Sequence, residues 1–66
     1  MDRKRVAENI RNIRRMKNLS AYELSLRVGK STNYIHEVEK GKINISLGSM
    51  LAICHELEID PKELFD

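Results

Sequence analysis

Apolar residues at helical spacing predict the first two elements of the chain. The first predicted helix ends near Asn18, and its inward positions are three or four residues apart: Val6, Ile10, Ile13 and Met16. A short second helix follows, with Leu24 and Val28 on its inner side. Ser20 and Glu23 form a Ser-x-x-Glu capping box at its start, and Gly29 ends it in a left-handed conformation.

The second half of the chain predicts three more helical segments. Ser31 caps a third helix, in which Ile35 and Val38 point inward and which Gly41 stops. Ser46 caps a fourth helix with a predicted buried stripe of Leu47, Met50, Leu51, Cys54 and Leu57. Asp60-Pro61 opens a last short turn, because proline favours the first helical position. Since no strand pattern is present, the sequence predicts an all-α fold.

Composition restricts the class of protein. A chain of 66 residues is expected to form one domain, residues 1–66, and its single cysteine makes no internal disulfide. No apolar run approaches the roughly 18 residues of a membrane span. We therefore expect a cytoplasmic protein without a membrane partner.

The charge is distributed unevenly, although the net charge is only +2. Residues 1–30 carry nine Lys or Arg and three Asp or Glu, whereas residues 31–66 carry three and seven. One end of the domain is therefore basic, as a polyanion-binding face requires. An arginine-rich helix that is merely solvated would show the same pattern.

The third predicted helix carries hydrogen-bonding side chains on the side away from the core. Asn33, His36, Glu37 and Lys40 cluster there, and Thr32 projects at its N-terminal end. Asn can bond adenine in a bidentate way, Thr can contact a base or the thymine methyl, and Glu can accept from cytosine N4. Helices two and three, about residues 20–40, are joined by a short turn, which predicts a helix-turn-helix whose second helix enters a DNA major groove.

The segment VGKSTNYIHEVEKGK, residues 28–42, resembles the recognition segment of the lambda-repressor/Cro-like (XRE) helix-turn-helix family, whose usual form is roughly L-G-V-S-x-x-x-I-S-x-I-E-x-G-K. The resemblance continues through NIRNIRRMKNLSAYELSLRVG before it and INISLGSMLAICHELEIDPKELF after it, so it covers nearly the whole chain. It implies a compact five-helix, lambda-repressor-like DNA-binding domain.

The resemblance also implies roles for individual residues. Arg14 and Glu39 match a structural ion pair between helices one and three. Thr32, Asn33 and Glu37 match the positions with which the family reads bases, and His36, which lies on the same side of the helix, is expected to read bases with them. Lys40, Lys42 and Asn44 match the loop with which the family contacts phosphates, and beside the resemblance Ser20, Ser31 and Arg11 are also expected to bind phosphates. The sequence departs from the family at three positions. Ala21 stands where Gln is usual, Glu37 stands where Arg, Lys or Gln is more usual, and Ile45 stands where Pro is usual.

The sequence therefore predicts a sequence-specific, double-stranded DNA-binding transcriptional regulator, a repressor acting as a homodimer. The dimer surface would come from helix four or the last turn, where Ile59, Leu64 or Phe65 could supply it. The alternative is a protein-interaction module, such as an antitoxin-like partner, that keeps the fold with weak or no DNA binding. We expect no enzymatic activity, cofactor, metal or small-molecule ligand, because no catalytic or ligating constellation converges.

Overall fold

The computed structural model describes residues 2–66, and Met1, the first residue of the predicted domain, lies outside them. Within that range the chain forms four α-helices and a single terminal 3₁₀-helix, without a strand: α1 Arg3–Met16, α2 Ala21–Arg27, α3 Tyr34–Glu39, α4 Leu47–Leu57, and the 3₁₀-helix Pro61–Leu64. The prediction of an all-α fold is confirmed. The fifth predicted helix is instead one turn of 3₁₀-helix, because Pro61–Leu64 is too short to close successive α-helical hydrogen bonds.

Capping explains where most of the helices begin. The capping box at Ser20 is present, with Glu23 N–H donating to Ser20 Oγ at 2.9 Å and Ser20 N–H donating to the Glu23 carboxylate at 3.0 Å. These bonds lower the pKa of Glu23. Ser46 caps α4 as predicted, and Asp60 and Glu63 form a second capping box at the 3₁₀-helix.

One predicted cap is wrong. α3 begins at Tyr34 after Asn33, and the Ser31 side chain does not cap it. Residues 31–33 form a turn in which Tyr34 N–H donates to the Ser31 carbonyl at 3.0 Å. The backbone turn therefore replaces the expected side-chain cap, and α3 is only six residues long.

The core lies at the junction of all five elements. Its fully buried side chains come from each of them, and they include Ile10, Leu24, Ile35, Ile53, Leu57 and Leu64. Burial of such side chains stabilises the fold by about 1.5–3 kcal/mol each relative to exposure. Packed against the core are partly buried residues that include Ile13, Leu19, Val28 and Tyr34.

Three residues of the predicted apolar stripes are exposed. Met16 is 77% exposed, because Arg14 takes the inward position in the last turn of α1 and Met16 lies about 200° further round the helix. Leu47 and Leu51 are 71% and 47% exposed. The buried side of α4 is rotated toward Ile53, which is fully buried and which the predicted stripe leaves out.

The last turn also differs from its predicted use. Leu64 is fully buried and is not available for a dimer surface, whereas Phe65 is 48% exposed and Ile59 is half-buried. The 3₁₀-helix folds back on α1, where Asn9 Nδ2 donates to the Leu64 carbonyl at 2.8 Å. This contact directs the Leu64 side chain into the core.

Candidate nucleic-acid interface

The turn between α2 and α3 depends on a glycine and a buried serine. Gly29 has a φ of +73°, in the left-handed region that strains residues with a Cβ. Ser25 is fully buried on α2, and its hydroxyl donates to the Ala21 carbonyl at 2.8 Å. The same oxygen accepts from the Ile35 N–H at 3.0 Å. Ser25 therefore joins the first turn of α3 to α2 and satisfies a buried backbone donor.

Ser25 was not predicted as a functional residue from the sequence. The available signal was a hydroxyl residue next to Leu24 on the inner side of a short helix, where an apolar side chain is usual. A buried hydroxyl there needs partners, and an N-terminal N–H of the next helix is the nearest unsatisfied donor.

The Arg14–Glu39 pair connects α3 to α1. Arg14 Nε lies 2.7 Å from Glu39 Oε2, and a second guanidinium nitrogen donates to Glu39 Oε1 at 2.9 Å. Arg14 also donates to the Leu19 carbonyl at 2.8 Å, and both charged side chains are at most 10% exposed. The hydrogen bond to Glu39, opposed by desolvation and aided by its charge, raises the pKa of Arg14. The expected ion pair is thus present as a bidentate, nearly buried contact.

With its inner side fixed by Ser25 and Glu39, α3 directs the opposite side outward. Thr32, Asn33 and His36 are exposed, and Glu37 is half-buried. Thr32 and Asn33 lie in the turn that precedes α3 rather than in its first helical turn. The four residues predicted to read bases therefore share one accessible edge formed by this turn and the start of α3.

Glu37 is bound to neighbours on this edge. Asn33 Nδ2 donates to Glu37 Oε1 at 3.2 Å, and Lys42 Nζ lies 3.9 Å from Glu37 Oε2. The side chains of Glu37 and Lys42 are 29% and 64% exposed, so water screens their attraction. The Glu37 carboxylate thus joins Asn33, which is predicted to read a base, to Lys42, which is predicted to bind a phosphate.

A cationic groove of about 270 Å³ runs between α1 and α3. His36 and Lys40 lie on its α3 side, and Arg11 and Arg15 lie on its α1 side. Since the one acidic residue in its lining, Glu39, is bound by Arg14, the groove has an excess of positive charge. Its lining includes Arg15, which sequence analysis had not assigned to a site.

The other residues predicted to bind phosphates are exposed near the ends of the helices. Ser20, Ser31, Lys40, Lys42, Asn44 and Arg11 are all accessible. Ser20 Oγ accepts the capping bond from Glu23, which leaves its O–H free to donate. The Asn44 side chain accepts a hydrogen bond from Arg3, which brings the start of α1 to the loop after α3.

Three further findings concern metal ions, the cysteine and membranes. Among residues 2–66, no group of His, Cys, Asp and Glu is arranged to hold a metal ion. Cys54 is buried, and burial raises the pKa of its thiol. None of the helices found in this part of the chain is long and apolar enough to cross a bilayer.

Solved structures share this fold along nearly the whole chain. The restriction-modification controller protein C.AhdI from Aeromonas hydrophila is 34% identical, with a TM-score of 0.89 and 94% of each chain covered. The hypothetical transcription factor NHTF from Neisseria is 29% identical, with a TM-score of 0.89, 94% of this chain covered and 71% of that one. The clp gene regulator ClgR from Corynebacterium glutamicum is 24% identical, with a TM-score of 0.90, 96% of this chain covered and 67% of that one. At this identity the similarity to ClgR supports the fold only.

No curated protein matches this chain significantly by sequence. A family match is nevertheless clear, since the helix-turn-helix family HTH_3 matches residues 10–64, which include α2, α3 and α4. The chain therefore belongs to the XRE-type helix-turn-helix family of DNA-binding transcription regulators.

Proposed function

We propose that this protein is a sequence-specific regulator that binds double-stranded DNA as a homodimer and represses transcription. The observation that carries the proposal is the accessible polar edge of α3, held outward by Ser25 and by the Arg14–Glu39 pair. It acts by binding and needs no cofactor, small-molecule effector or catalytic step. Because its proposed ligand is DNA, we expect the protein to act in the cytoplasm.

Four side chains at the edge of α3 read bases in this proposal. Asn33 pairs with adenine, Thr32 contacts a base or the thymine methyl, and Glu37 accepts from an amine. The ring nitrogens of His36 can donate or accept a hydrogen bond. Their accessible position along the turn before α3 and its first residues supports direct readout in the major groove.

DNA phosphates on either side of the major groove are bound by neighbouring cations and hydroxyls of the protein. Arg11 and Lys40, which line the cationic groove between α1 and α3, contact one DNA strand, and Lys42 contacts DNA from the loop after α3. The remaining contacts come from Ser20, Ser31 and Asn44, the last supported by Arg3. These contacts fix the register of the protein without reading sequence.

Dimerisation follows from the small footprint of one recognition helix. One such helix reads only a few base pairs, so useful affinity requires two half-sites. Leu47 and Leu51 are exposed one turn apart on α4, and Phe65 is exposed beyond the 3₁₀-helix. We assign the dimer surface to these residues. A dimer that covers a promoter represses by excluding polymerase.

The DNA-binding test is a titration of the protein with random-sequence duplex at low and high salt. The proposal predicts that the logarithm of the binding constant falls linearly with the logarithm of the salt concentration, with a slope of about −0.9 for each phosphate neutralised. Selection of bound sequences from a random pool should then recover a palindrome. Absence of binding even at low salt would contradict the proposal and favour the protein-interaction module.

The dimer test uses sedimentation equilibrium. Replacing Leu47 and Leu51 together by Ser should shift the protein toward monomer, since both side chains leave water in the proposed dimer. Met16→Ser is the matched control, because Met16 is also exposed but lies on α1 outside the proposed surface. A monomeric unmodified protein, or equal effects of both variants, would contradict the assignment.

A further inference from the structure

Both oxygens of the Glu37 carboxylate face a partner in the free protein. Oε1 accepts from Asn33 Nδ2 at 3.2 Å, and Oε2 lies 3.9 Å from Lys42 Nζ. All three residues remain at least partly open to solvent, so DNA can reach them. The edge of α3 therefore presents a connected polar cluster, Asn33–Glu37–Lys42, rather than three independent side chains.

The bond from Asn33 fixes the orientation of its amide. With Nδ2 directed to Glu37, one N–H is used and the second N–H remains free together with the carbonyl oxygen. One donor and one acceptor are what a bidentate contact with adenine N7 and N6 requires. Glu37 thus prepares Asn33 for adenine while keeping its own hydrogen bond.

The same carboxylate limits which bases can face it. An ionised carboxylate only accepts hydrogen bonds, and it retains spare lone pairs after binding Asn33. In the major groove the exocyclic amines of cytosine and adenine are donors, whereas guanine O6 and N7 and thymine O4 are acceptors. An acceptor opposite Glu37 leaves the carboxylate desolvated without a donor, which disfavours that sequence.

Glu37 also weakens attraction to phosphates of any sequence. Its negative charge lies 3.9 Å from Lys42 Nζ, so it offsets part of the charge that Lys42 presents to DNA. Phosphate contacts dominate non-specific affinity. A carboxylate here therefore lowers binding to all sequences and restores it only where a base amine is available.

We propose that Glu37 sets the selectivity of this surface: it orients Asn33, restrains Lys42, and favours sites with an exocyclic amine opposite its carboxylate. The inference rests on the proposed DNA-binding function and assigns the residue that discriminates among sequences. Its loss should broaden recognition while strengthening non-specific binding.

The test compares the unmodified protein with Glu37→Gln and with Glu58→Gln, a control that removes the same charge from an exposed residue just after α4. Glu37→Gln should bind random duplex roughly two- to fivefold more tightly, as expected for release of an exposed ion pair. Its ratio of selected-site to random-site affinity should fall about tenfold, and sequence selection should relax at one position in each half-site. Circular dichroism checks that both variants fold.

A double-mutant cycle tests the coupling to Asn33. Asn33→Ala and Glu37→Ala should lose less selectivity together than the sum of their separate losses, because each removes the hydrogen bond between residues 33 and 37. Glu37→Gln behaving like Glu58→Gln in affinity and selectivity, or additive losses in the cycle, would overturn the role of Glu37. Failure of the unmodified protein to select any sequence would instead overturn the proposed function, and this inference with it.

Discussion

Two glutamates that are two residues apart on α3 are paired in opposite ways. Glu39 receives two hydrogen bonds from Arg14, and both side chains are at most 10% exposed. Glu37 lies 3.9 Å from Lys42, whose side chain is 64% exposed, and it shares a longer bond with Asn33. The buried pair satisfies its charges within the protein, whereas the exposed cluster can exchange partners with DNA. Burial and geometry, rather than residue type, separate structure from recognition.

The largest expected effect comes from breaking the inner pair. Glu39→Gln should lower the free energy of unfolding by about 2–4 kcal/mol, because it leaves the Arg14 charge nearly buried without its counter-ion. Glu37→Gln is the matched variant on the same helix and should change stability by less than about 1 kcal/mol, since that pair is exposed. Urea denaturation followed by circular dichroism measures both. Equal losses would show that the two pairs do not differ as described.

The pKa of Arg14 gives this prediction a pH dependence. The hydrogen bond to Glu39 raises the pKa of Arg14 above its ordinary value, so the stabilisation is fully present below that ordinary value and is lost only as pH rises through the higher folded value. The deficit of Glu39→Gln relative to the unmodified protein should therefore be the same at neutral pH and at moderately alkaline pH. A deficit that disappears in that range would contradict the assignment.

The next effect concerns the serine that fixes α3 on α2. Ser25→Ala should lower the free energy of unfolding by about 1–3 kcal/mol, because the Ile35 N–H loses its buried acceptor. Ser31→Ala, the control, should change it by less than about 0.5 kcal/mol, since Ser31 is exposed and its side chain does not cap α3. A large loss of stability for Ser31→Ala would show that the Ser31 side chain caps α3 after all, which would contradict the structure.

Ser25 and the misplaced apolar residues show what the sequence could and could not predict. Spacing and caps predicted the helices, the core positions Ile10, Leu24, Ile35 and Leu57, and the outward side of α3. Ser25 was missed because a buried serine leaves no periodic signal and its partner is ten residues away. Met16 and Leu51 were misplaced because the rotation of a helix depends on what packs against it, and this packing turns Arg14 of α1 and Ile53 of α4 inward.

The outer cluster should separate base contacts from phosphate contacts. Asn33→Ala should weaken binding to the selected site by about tenfold more than binding to random duplex, since a bidentate base contact discriminates by 1–3 kcal/mol. Lys42→Ala should weaken both alike and make the salt slope shallower by about one phosphate. Fluorescence anisotropy at several salt concentrations measures both. Equal losses for both variants on both DNAs would show that the base and phosphate assignments are wrong.

The smallest expected effect is the response of the two pairs to salt. Raising ionic strength screens exposed charges much more than nearly buried ones. The stability difference caused by Glu37→Gln, at most about 1 kcal/mol, should therefore shrink in high salt. The difference caused by Glu39→Gln should stay nearly constant. Urea denaturation at two salt concentrations decides this, and a constant difference for Glu37→Gln would place that residue in a less exposed environment than the structure gives it.

The most direct test of the account is an NMR titration of ¹⁵N-labelled protein with duplex DNA at low salt. We predict that the largest amide shifts fall on residues 31–42 and on the Arg11 side of α1, with little change at Leu57 and Glu58 at the end of α4. Shifts centred on α4, or no shifts with any duplex, would contradict the claim that the outer edge of α3 is the DNA-binding surface.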